Sequence, residues 1–487
     1  MASRLQNSLI LVATASLLLL AAIGFVNPVF MDVAISAFAG VAIVLGVHFL
    51  FFKKQLFVLL IFGLVPFSHE IELPFTDAAL SMPSELMLSA ISLILLISVV
   101  QKGVDRSVLR HPISIILILD VVWMLVTTST SSDTIISLKR VAMRVNFVLL
   151  GYFFLMHWYR DKRALLKPLL FYVFGLIPVV AIIINAHSRY DFAQNISFAI
   201  PEPYYDEHTV YAACIAFIIP VFAWVVFKTE IITKDYGSRV MLMLGFMVIM
   251  GGILFAYSRA AWMSLVAAMF FGLALYLRIK LKTYLLISII GVAVLAMAYP
   301  SIYHKISKNE AVSNDGSVTN HVTSVTNIST DASNLERINR WVCAWRMFKE
   351  RPLLGFGPGT YQFEYAQFQT ADYTTYISTA KGDKGNAHSE YLMYLSETGI
   401  VGFLIFLSLV VYTLFLGIRN NLRARGYVRG VNNAVLLGLF TFFIHGVFNS
   451  FIDQDKMALL VYPSIAVIAA IDLFHIRRLH EKVVETT

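Results

Sequence analysis

The sequence predicts an all-α polytopic membrane protein with about 14 transmembrane helices, or roughly 12 to 14, and one long loop that contains amphipathic helices. Three observations support this prediction. Of 487 residues, 58% are hydrophobic and 14% are charged, whereas an average soluble domain is about 45–50% apolar and about 25% charged. The apolar residues fall in runs long enough to cross a bilayer, and the basic residues collect in alternate connections between the runs.

Runs of about 17–25 apolar residues define the predicted spans in order. They lie near 8–26, 32–52, 55–67, 85–100, 112–127, 141–158, 168–184, 209–227, 240–257, 260–277, 283–298, 399–418, 431–448 and 457–474.

The distribution of Lys and Arg sets the predicted orientation. With the amino terminus inside, the cytoplasmic connections hold 23 of the 38 basic residues. This bias is what the positive-inside rule requires, and it places both termini in the cytoplasm. The formal net charge of +8 therefore reflects membrane orientation, and we expect no nucleic-acid partner.

The predicted organisation has three parts. Residues 1–298 contain the first eleven spans, residues 299–398 form a long loop on the outer face, and residues 399–487 contain the last three spans and the cytoplasmic tail. The polar stretch Ser307 to Asn334 is expected to be mobile.

An amphipathic helix is predicted to follow this polar stretch. Ser333 and Glu336 have the spacing of a capping box, and apolar residues from Leu335 to Phe348 recur at three and four residues. Pro352 ends the pattern. Such a helix would lie on the outer membrane boundary or cap the helix bundle.

Two cysteines, Cys214 and Cys343, allow at most one disulfide and no zinc cluster. The chain lacks a GxxxxGK[ST] motif, which excludes a P-loop ATPase. The glycines from Gly355 to Gly359 follow no predicted strand. They indicate a tight turn or, alternatively, a nest of backbone amides for an anion.

Basic residues at outer span ends are not explained by orientation, since a charge there costs insertion energy. These residues are Arg259 between the ninth and tenth spans, Lys139, Arg140 and Arg144 near the start of the sixth span, and Arg337 and Arg340 on the amphipathic helix. Each could anchor the chain at the lipid headgroups. Together they indicate a cationic cavity for phosphate, which arginine binds in bidentate fashion.

Titratable residues on the same face are candidates for proton transfer and ligand binding. His388 has an intrinsic pKa near neutrality and lies just before the twelfth span, so it could act as a base or bind phosphate. His208 ends an acidic and aromatic cluster before the eighth span. Asp453 and Asp455 have the spacing of a metal-binding pair, or are simply polar loop residues.

Two further polar residues lie inside predicted spans. Asp120 and His445 are functional candidates because such residues are costly in a membrane, but bonding between helices explains them equally well.

The order of these features resembles the O-antigen ligase and O-antigen polymerase superfamily of bacterial membrane glycosyltransferases. The resemblance covers about residues 240 to 415. It rests on Ser258-Arg259 at a span end, the RINRW sequence of Arg337 to Trp341, PLLGFGPG from Pro352 to Gly359, HSEYL from His388 to Leu392, and ETGIVG from Glu397 to Gly402. The family often has Asn where Ser389 stands here.

The resemblance implies transfer of a glycan from an undecaprenyl-diphosphate carrier at the periplasmic face of the bacterial inner membrane. The implied reaction is a metal-independent inverting displacement that needs no cofactor. Arg259 and Arg337 correspond to the diphosphate-binding cations, His388 to the catalytic histidine, and Asp453 or Asp455 to an acidic residue of the last outer loop.

The acceptor stays open at this point. A ligase uses a lipid A core, a polymerase a growing glycan on a second carrier, and an O-glycosylating enzyme a protein, and the loop motifs favour the ligase slightly. A transporter or flippase for a lipid-linked saccharide is the alternative from another class. Transporters place charged sites near the bilayer midplane, whereas the unexplained cations here lie at the outer surface.

Overall fold

The protein folds as a multi-pass helical membrane protein. The computed structural model describes residues 46, 48–72, 79–228, 235–284, 286, 332–370, 378 and 385–477. Within these ranges, nine helices are long and apolar enough to cross a membrane. The predicted all-α membrane class is thereby confirmed, while the count of 14 spans and the periplasmic position of the loop stay predictions.

Twelve helices carry the architecture of the described residues. They are α1 (Lys54–Leu64), α2 (Ser84–Lys102), α3 (Pro112–Thr128), α4 (Thr134–Val148), α5 (Lys167–Ser188), α6 (His208–Phe227), α7 (Tyr236–Phe255), α8 (Arg259–Tyr276), α9 (Ala332–Glu350), α10 (Glu390–Arg423), α11 (Gly426–His445) and α12 (Asp455–Ala470). A short antiparallel pair, β1 (His69–Glu72) and β2 (Ala79–Met82), precedes α2.

The helices match the predicted spans that fall on described residues. The span predicted at 8–26, most of the spans predicted at 32–52 and 283–298, and nearly all of the Ser307–Asn334 stretch lie outside those residues. Helix α1 belongs mainly to an amino-terminal unit that ends at Phe62, and all that follows concerns the unit from Gly63 onward.

Local sequence explains where the helices begin. Asp133 accepts hydrogen bonds from the backbone of Ile135 and Ile136 at 3.0 and 3.1 Å and starts α4. Asp235 starts α7 by accepting from Ser238 at 2.7 Å. Side-chain caps of this kind satisfy amides that have no partner within the helix.

Helix α12 lies at the centre of the bundle. Within the span from Asp455 to Arg477, 94% of an 18-residue apolar stretch is buried, against 22% of the corresponding stretch of α7. The exposed positions of α7 are apolar, as expected for a helix that faces lipid. The four helices α6, α8, α10 and α12 begin at the same end of the bundle at which α11 ends, and we call this the His388 end.

Helix α9 lies against this end. Its residues Cys343, Ala344 and Met347 pack in one apolar cluster with Tyr361, Tyr365 and Met393. The face of α9 that carries Cys343, Ala344 and Met347 is therefore buried against α10 and the segment before it, whereas the predicted apolar stripe is only partly covered: Trp341 and Phe348 are half-buried and Trp345 is exposed. Both cysteines are buried and neither forms a disulfide.

Candidate functional site

Antiparallel packing places Arg259 at the His388 end. Phe271 of α8 stacks on Phe440 of α11 with ring centroids 4.3 Å apart, and the side chain of Asn421, at the end of α10 just before α11 begins, donates to the Leu275 carbonyl near the end of α8 at 2.9 Å. Since α8 runs opposite to α11, its first residue, Arg259, lies at the end where α11 finishes with His445. Arg259 is half-buried there.

His388 lies immediately before α10 in a constrained backbone conformation. Its φ of +46° is in the left-handed region, which residues other than glycine rarely occupy. Two bonds hold it: its N–H donates to the Asn386 side chain at 2.8 Å, and its carbonyl accepts from the Trp341 indole at 3.0 Å. Helix α9 therefore fixes the backbone of the histidine directly, and held strain of this kind is typical of functional sites.

The guanidinium of Arg340 is bound by neighbouring side chains of the protein. Its guanidinium is 2.7 Å from the Glu336 carboxylate one turn earlier and lies over the Tyr365 ring at 4.2 Å from the centroid. It also lies against Gly385, where an added Cβ would come within 1.9 Å of a guanidinium nitrogen. Glu336 thus pairs with Arg340, and the Ser333 side chain predicted to cap the helix lies outside the described side chains.

Arg337 faces the start of α6. It acts electrostatically on Glu207, His208 and His445, so these groups share one neighbourhood. Burial raises the pKa of Glu207, while its Thr209 hydrogen bond and the positive charges of Arg340 and Arg337 counteract that rise. The structure therefore brings the predicted residues Arg337 and His208 together.

A second group of predicted residues forms a buried ion-pair cluster. Arg144 donates to Asp120 at 2.6 Å and to Asp453 at 2.5 and 3.1 Å, and it also contacts the Tyr394 hydroxyl. Arg140, one turn earlier on α4, lies 3.3 Å from Asp453. The Arg144 side chain is 2% exposed, so its charge is balanced by the two carboxylates, as a buried charge must be.

Asp453 is therefore the anionic centre of this cluster. Burial would raise its pKa, but Arg144 and Arg140 outweigh that effect and hold the pKa below its ordinary value. Asp455 has a different partner, the Ser84 hydroxyl. The two carboxylates thus have separate partners. Lys139 is exposed on α4.

Glu390 binds the loop between α11 and α12 to the start of α10. Its carboxylate accepts from the backbone N–H of Phe451, from that of Ile452 at 2.6 Å, and from the Ser450 hydroxyl at 3.2 Å. Its own N–H lies 2.8 Å from the Gly446 carbonyl. This residue, two positions after His388, links the histidine to the loop that carries Asp453.

Glu397 occupies the amide nest of the glycine-rich segment. Its two carboxylate oxygens accept from the backbone N–H of Gly359 at 2.8 Å and of Tyr361 at 3.0 Å. The segment lies so close to α10 that a Cβ on Gly355 would meet the Glu397 carbonyl carbon at 2.4 Å. The nest thus holds an internal carboxylate.

Sequence reasoning did not find the roles of Glu390 and Glu397. The only signal in the sequence was the acidic residue itself, because a glutamate beside an apolar run needs hydrogen-bond donors if it is buried. Those donors come from residues about 60 and 38 positions away. One small pocket borders both glutamates together with Arg144, Tyr394 and Asp453.

These features define a polytopic helical membrane protein whose cations, carboxylates and histidines gather at one end of the bundle. The family model for O-antigen ligase matches residues 240–407. The matched range contains Arg259, Arg337 and His388, and it confirms the predicted resemblance to the O-antigen ligase and polymerase superfamily. A search of the curated proteins finds no match.

Proposed function

We propose that this protein is an inner-membrane glycosyltransferase that moves a glycan from an undecaprenyl-diphosphate carrier to an acceptor at the periplasmic face. The observation that carries the proposal is the O-antigen ligase match over the residues that hold Arg259, Arg337 and His388. The clustering of cationic and titratable groups at the His388 end supports it. We favour a lipid A core as acceptor, with a growing glycan as the alternative.

In the proposed reaction, the acceptor hydroxyl transfers its proton to the His388 imidazole while its oxygen bonds to the anomeric carbon. The bond from that carbon to the phosphate oxygen breaks, and undecaprenyl diphosphate leaves with the electron pair. Attack opposite the leaving group inverts the anomeric configuration. A general base of this kind contributes typically about 10²–10⁴-fold to the rate.

Arg337 and Arg259 are proposed to bind the diphosphate. The leaving diphosphate gains negative charge as the sugar bond breaks, so fixed guanidinium groups bind it more tightly in the transition state than in the ground state. Because the carrier itself is the activated donor, the reaction needs no nucleotide. We propose that it also needs no metal, because the two guanidinium groups neutralise the leaving diphosphate.

The remaining predicted residues have supporting roles in the proposal. Arg340 borders the segment before His388, and His208 lies beside Arg337. Lys139 and Arg140 are the more exposed cations of α4 and would meet an anionic substrate or headgroup. Arg144 positions Asp453. Direct binding of substrate by Arg144 stays a prediction, because Arg144 would have to exchange a carboxylate partner for the substrate.

Glycan transfer by the purified protein tests the proposal. The protein in lipid nanodiscs is supplied with undecaprenyl-diphosphate glycan and either a lipid A core or no second acceptor. Product on the core identifies a ligase, and a ladder of longer glycans from donor alone identifies a polymerase. The inactive variant for comparison is His388→Asn, because asparagine tolerates the left-handed backbone but lacks the imidazole.

One outcome would overturn the proposal. If neither mixture gives a product but the protein moves the lipid-linked glycan across the bilayer of a liposome, the protein is a transporter.

A further inference from the structure

Two buried polar side chains at the His388 end have no role in the reaction described above. His445 ends α11 and is 1% exposed, and Asn449 lies four residues later and is 0% exposed. Neither imidazole nitrogen of His445 and neither amide atom of Asn449 has a hydrogen-bond partner among the residues that the structure describes. Buried polar atoms are nearly always paired, so four of them in one place indicate a binding function.

The backbone places these two side chains side by side. The Asn449 N–H donates to the His445 carbonyl at 3.1 Å, so the chain continues for a turn beyond α11. Residues four apart on such a turn face the same direction. The turn is fixed as well, because the Glu390 N–H donates to the Asn449 carbonyl at 3.1 Å. The unpaired atoms therefore belong to a well-held segment.

Helix α9 brings Arg337 to the same place. Trp341 lies one turn after Arg337 on α9, and its ring lies 6.5 Å from that of Phe448, between His445 and Asn449 in sequence. Arg337 also acts electrostatically on His445. A group bound by Arg337 would thus be adjacent to His445 and Asn449.

The chemistry of the four atoms selects the kind of ligand. A neutral imidazole offers one donor and one acceptor, and an amide offers donors and an acceptor. An ionised phosphate only accepts hydrogen bonds, so it would leave the acceptor atoms of His445 and Asn449 without partners. Hydroxyl groups donate and accept, and neighbouring hydroxyls of a sugar would satisfy both side chains.

We propose that His445 and Asn449 bind hydroxyl groups of the sugar that is attached directly to the carrier diphosphate. The inference rests on the proposed function, in which Arg337 binds the diphosphate, since the first sugar is only one bond away from the phosphate. Because both side chains are closed to solvent, the sugar reaches them when α9 moves away from the turn after α11.

Lipid binding separates the sugar contact from the diphosphate contact. The affinity of the full chain in nanodiscs is measured for undecaprenyl diphosphate alone and for the undecaprenyl-diphosphate glycan extracted from the cell that makes this protein. The variants are His445→Ala, Asn449→Ala, Arg337→Ala and, as the matched control, Asn432→Ala. Asn432 is also a buried asparagine of α11, and its side chain donates to the Gly417 carbonyl at 2.9 Å, near the opposite end.

The wild type is expected to bind the glycan-bearing lipid more tightly than the bare lipid. Asn449→Ala and His445→Ala should each reduce this preference about tenfold, which corresponds to about 1.4 kcal/mol, and leave the affinity for bare undecaprenyl diphosphate unchanged. Asn432→Ala should leave the preference unchanged.

Three results would overturn the inference. They are a wild type without preference for the glycan-bearing lipid, variants that weaken both lipids equally, and variants that change neither affinity. Arg337→Ala tests the proposed function separately, because it should weaken both lipids alike. An unchanged affinity in Arg337→Ala would contradict the proposed diphosphate site, whatever His445 and Asn449 do.

Discussion

The Asp453→Asn substitution tests the ion-pair cluster that joins α3, α4 and the loop between α11 and α12. Asparagine has the size of aspartate and can still accept from a guanidinium, but it carries no charge. Arg144, which is 2% exposed, would keep only Asp120 at 2.6 Å as its anionic partner. Arg140 would lose the carboxylate that lies 3.3 Å away.

The magnitude follows from the burial of the pair. Removing one partner of a buried ion pair typically costs about 3–5 kcal/mol. Since Asp120 stays in place and the Asp453 side chain is 18% exposed, we expect the lower end, a loss of about 3 kcal/mol in the free energy of unfolding. That is a change of roughly 100-fold in the unfolding equilibrium constant.

Equilibrium unfolding in mixed detergent micelles measures this loss. Glu350→Gln is the matched control, because Glu350 is an exposed acid at the end of α9 and its neutralisation should change the free energy by less than about 0.5 kcal/mol. If Asp453→Asn changes the free energy as little as the control does, the cluster does not hold the loop and the reasoning is refuted.

Three further predictions concern Asp453, Trp341 and Gly355. Because the pKa of Asp453 is lower in the folded than in the unfolded state, its contribution to the free energy of unfolding is complete above the unfolded pKa of about 3.9 and is lost as the pH falls through the folded pKa. In unfolding titrations, the difference in stability between wild type and Asp453→Asn should therefore be equal at about pH 7 and pH 5 and should disappear only below about pH 4. Trp341→Phe keeps the aromatic ring but removes the 3.0 Å bond to the His388 carbonyl, so transfer should slow up to about tenfold with unchanged donor affinity, and a wild-type rate would show that the bond is dispensable. Gly355→Ala should destabilise the fold by several kcal/mol more than Gly103→Ala in thermal unfolding, since both have positive φ but only Gly355 would place a Cβ against backbone, and equal losses would contradict the close packing of the glycine segment.

Apolar runs predicted the helices well because a membrane leaves few ways to satisfy the backbone. The predicted amphipathic helix between Ser333 and Phe348 is present as α9, Ala332–Glu350. Helix α10 begins at Glu390, but its backbone is non-helical at Gly399 (φ +67°), so the span predicted from 399 coincides with the part of α10 after this kink, and Glu390 and Glu397 lie on the part before it. The search for apolar runs excludes Glu390 and Glu397 from a span. In the fold both carboxylates are buried, because backbone N–H groups donate hydrogen bonds to them.

Partners distant in sequence could not be predicted. The sequence indicated a phosphate-binding cavity that includes Arg140 and Arg144, whereas the structure pairs both with the protein's own Asp453, more than 300 residues later. Likewise, the glycine-rich segment indicated a tight turn or, alternatively, an amide nest for an anion, and its amides bind the protein's own Glu397. Sequence patterns show which groups need a partner, and the tertiary fold determines which partner they find.

The most direct test of the proposed site compares donor turnover by the wild type and His388→Asn. Release of undecaprenyl diphosphate from the lipid-linked glycan is followed with saturating acceptor, and donor affinity is measured in parallel. If His388 is the general base, the variant should bind the donor with unchanged affinity and release undecaprenyl diphosphate at least about 100-fold more slowly. A variant that turns over at the wild-type rate would contradict the central claim that transfer takes place at the His388 end.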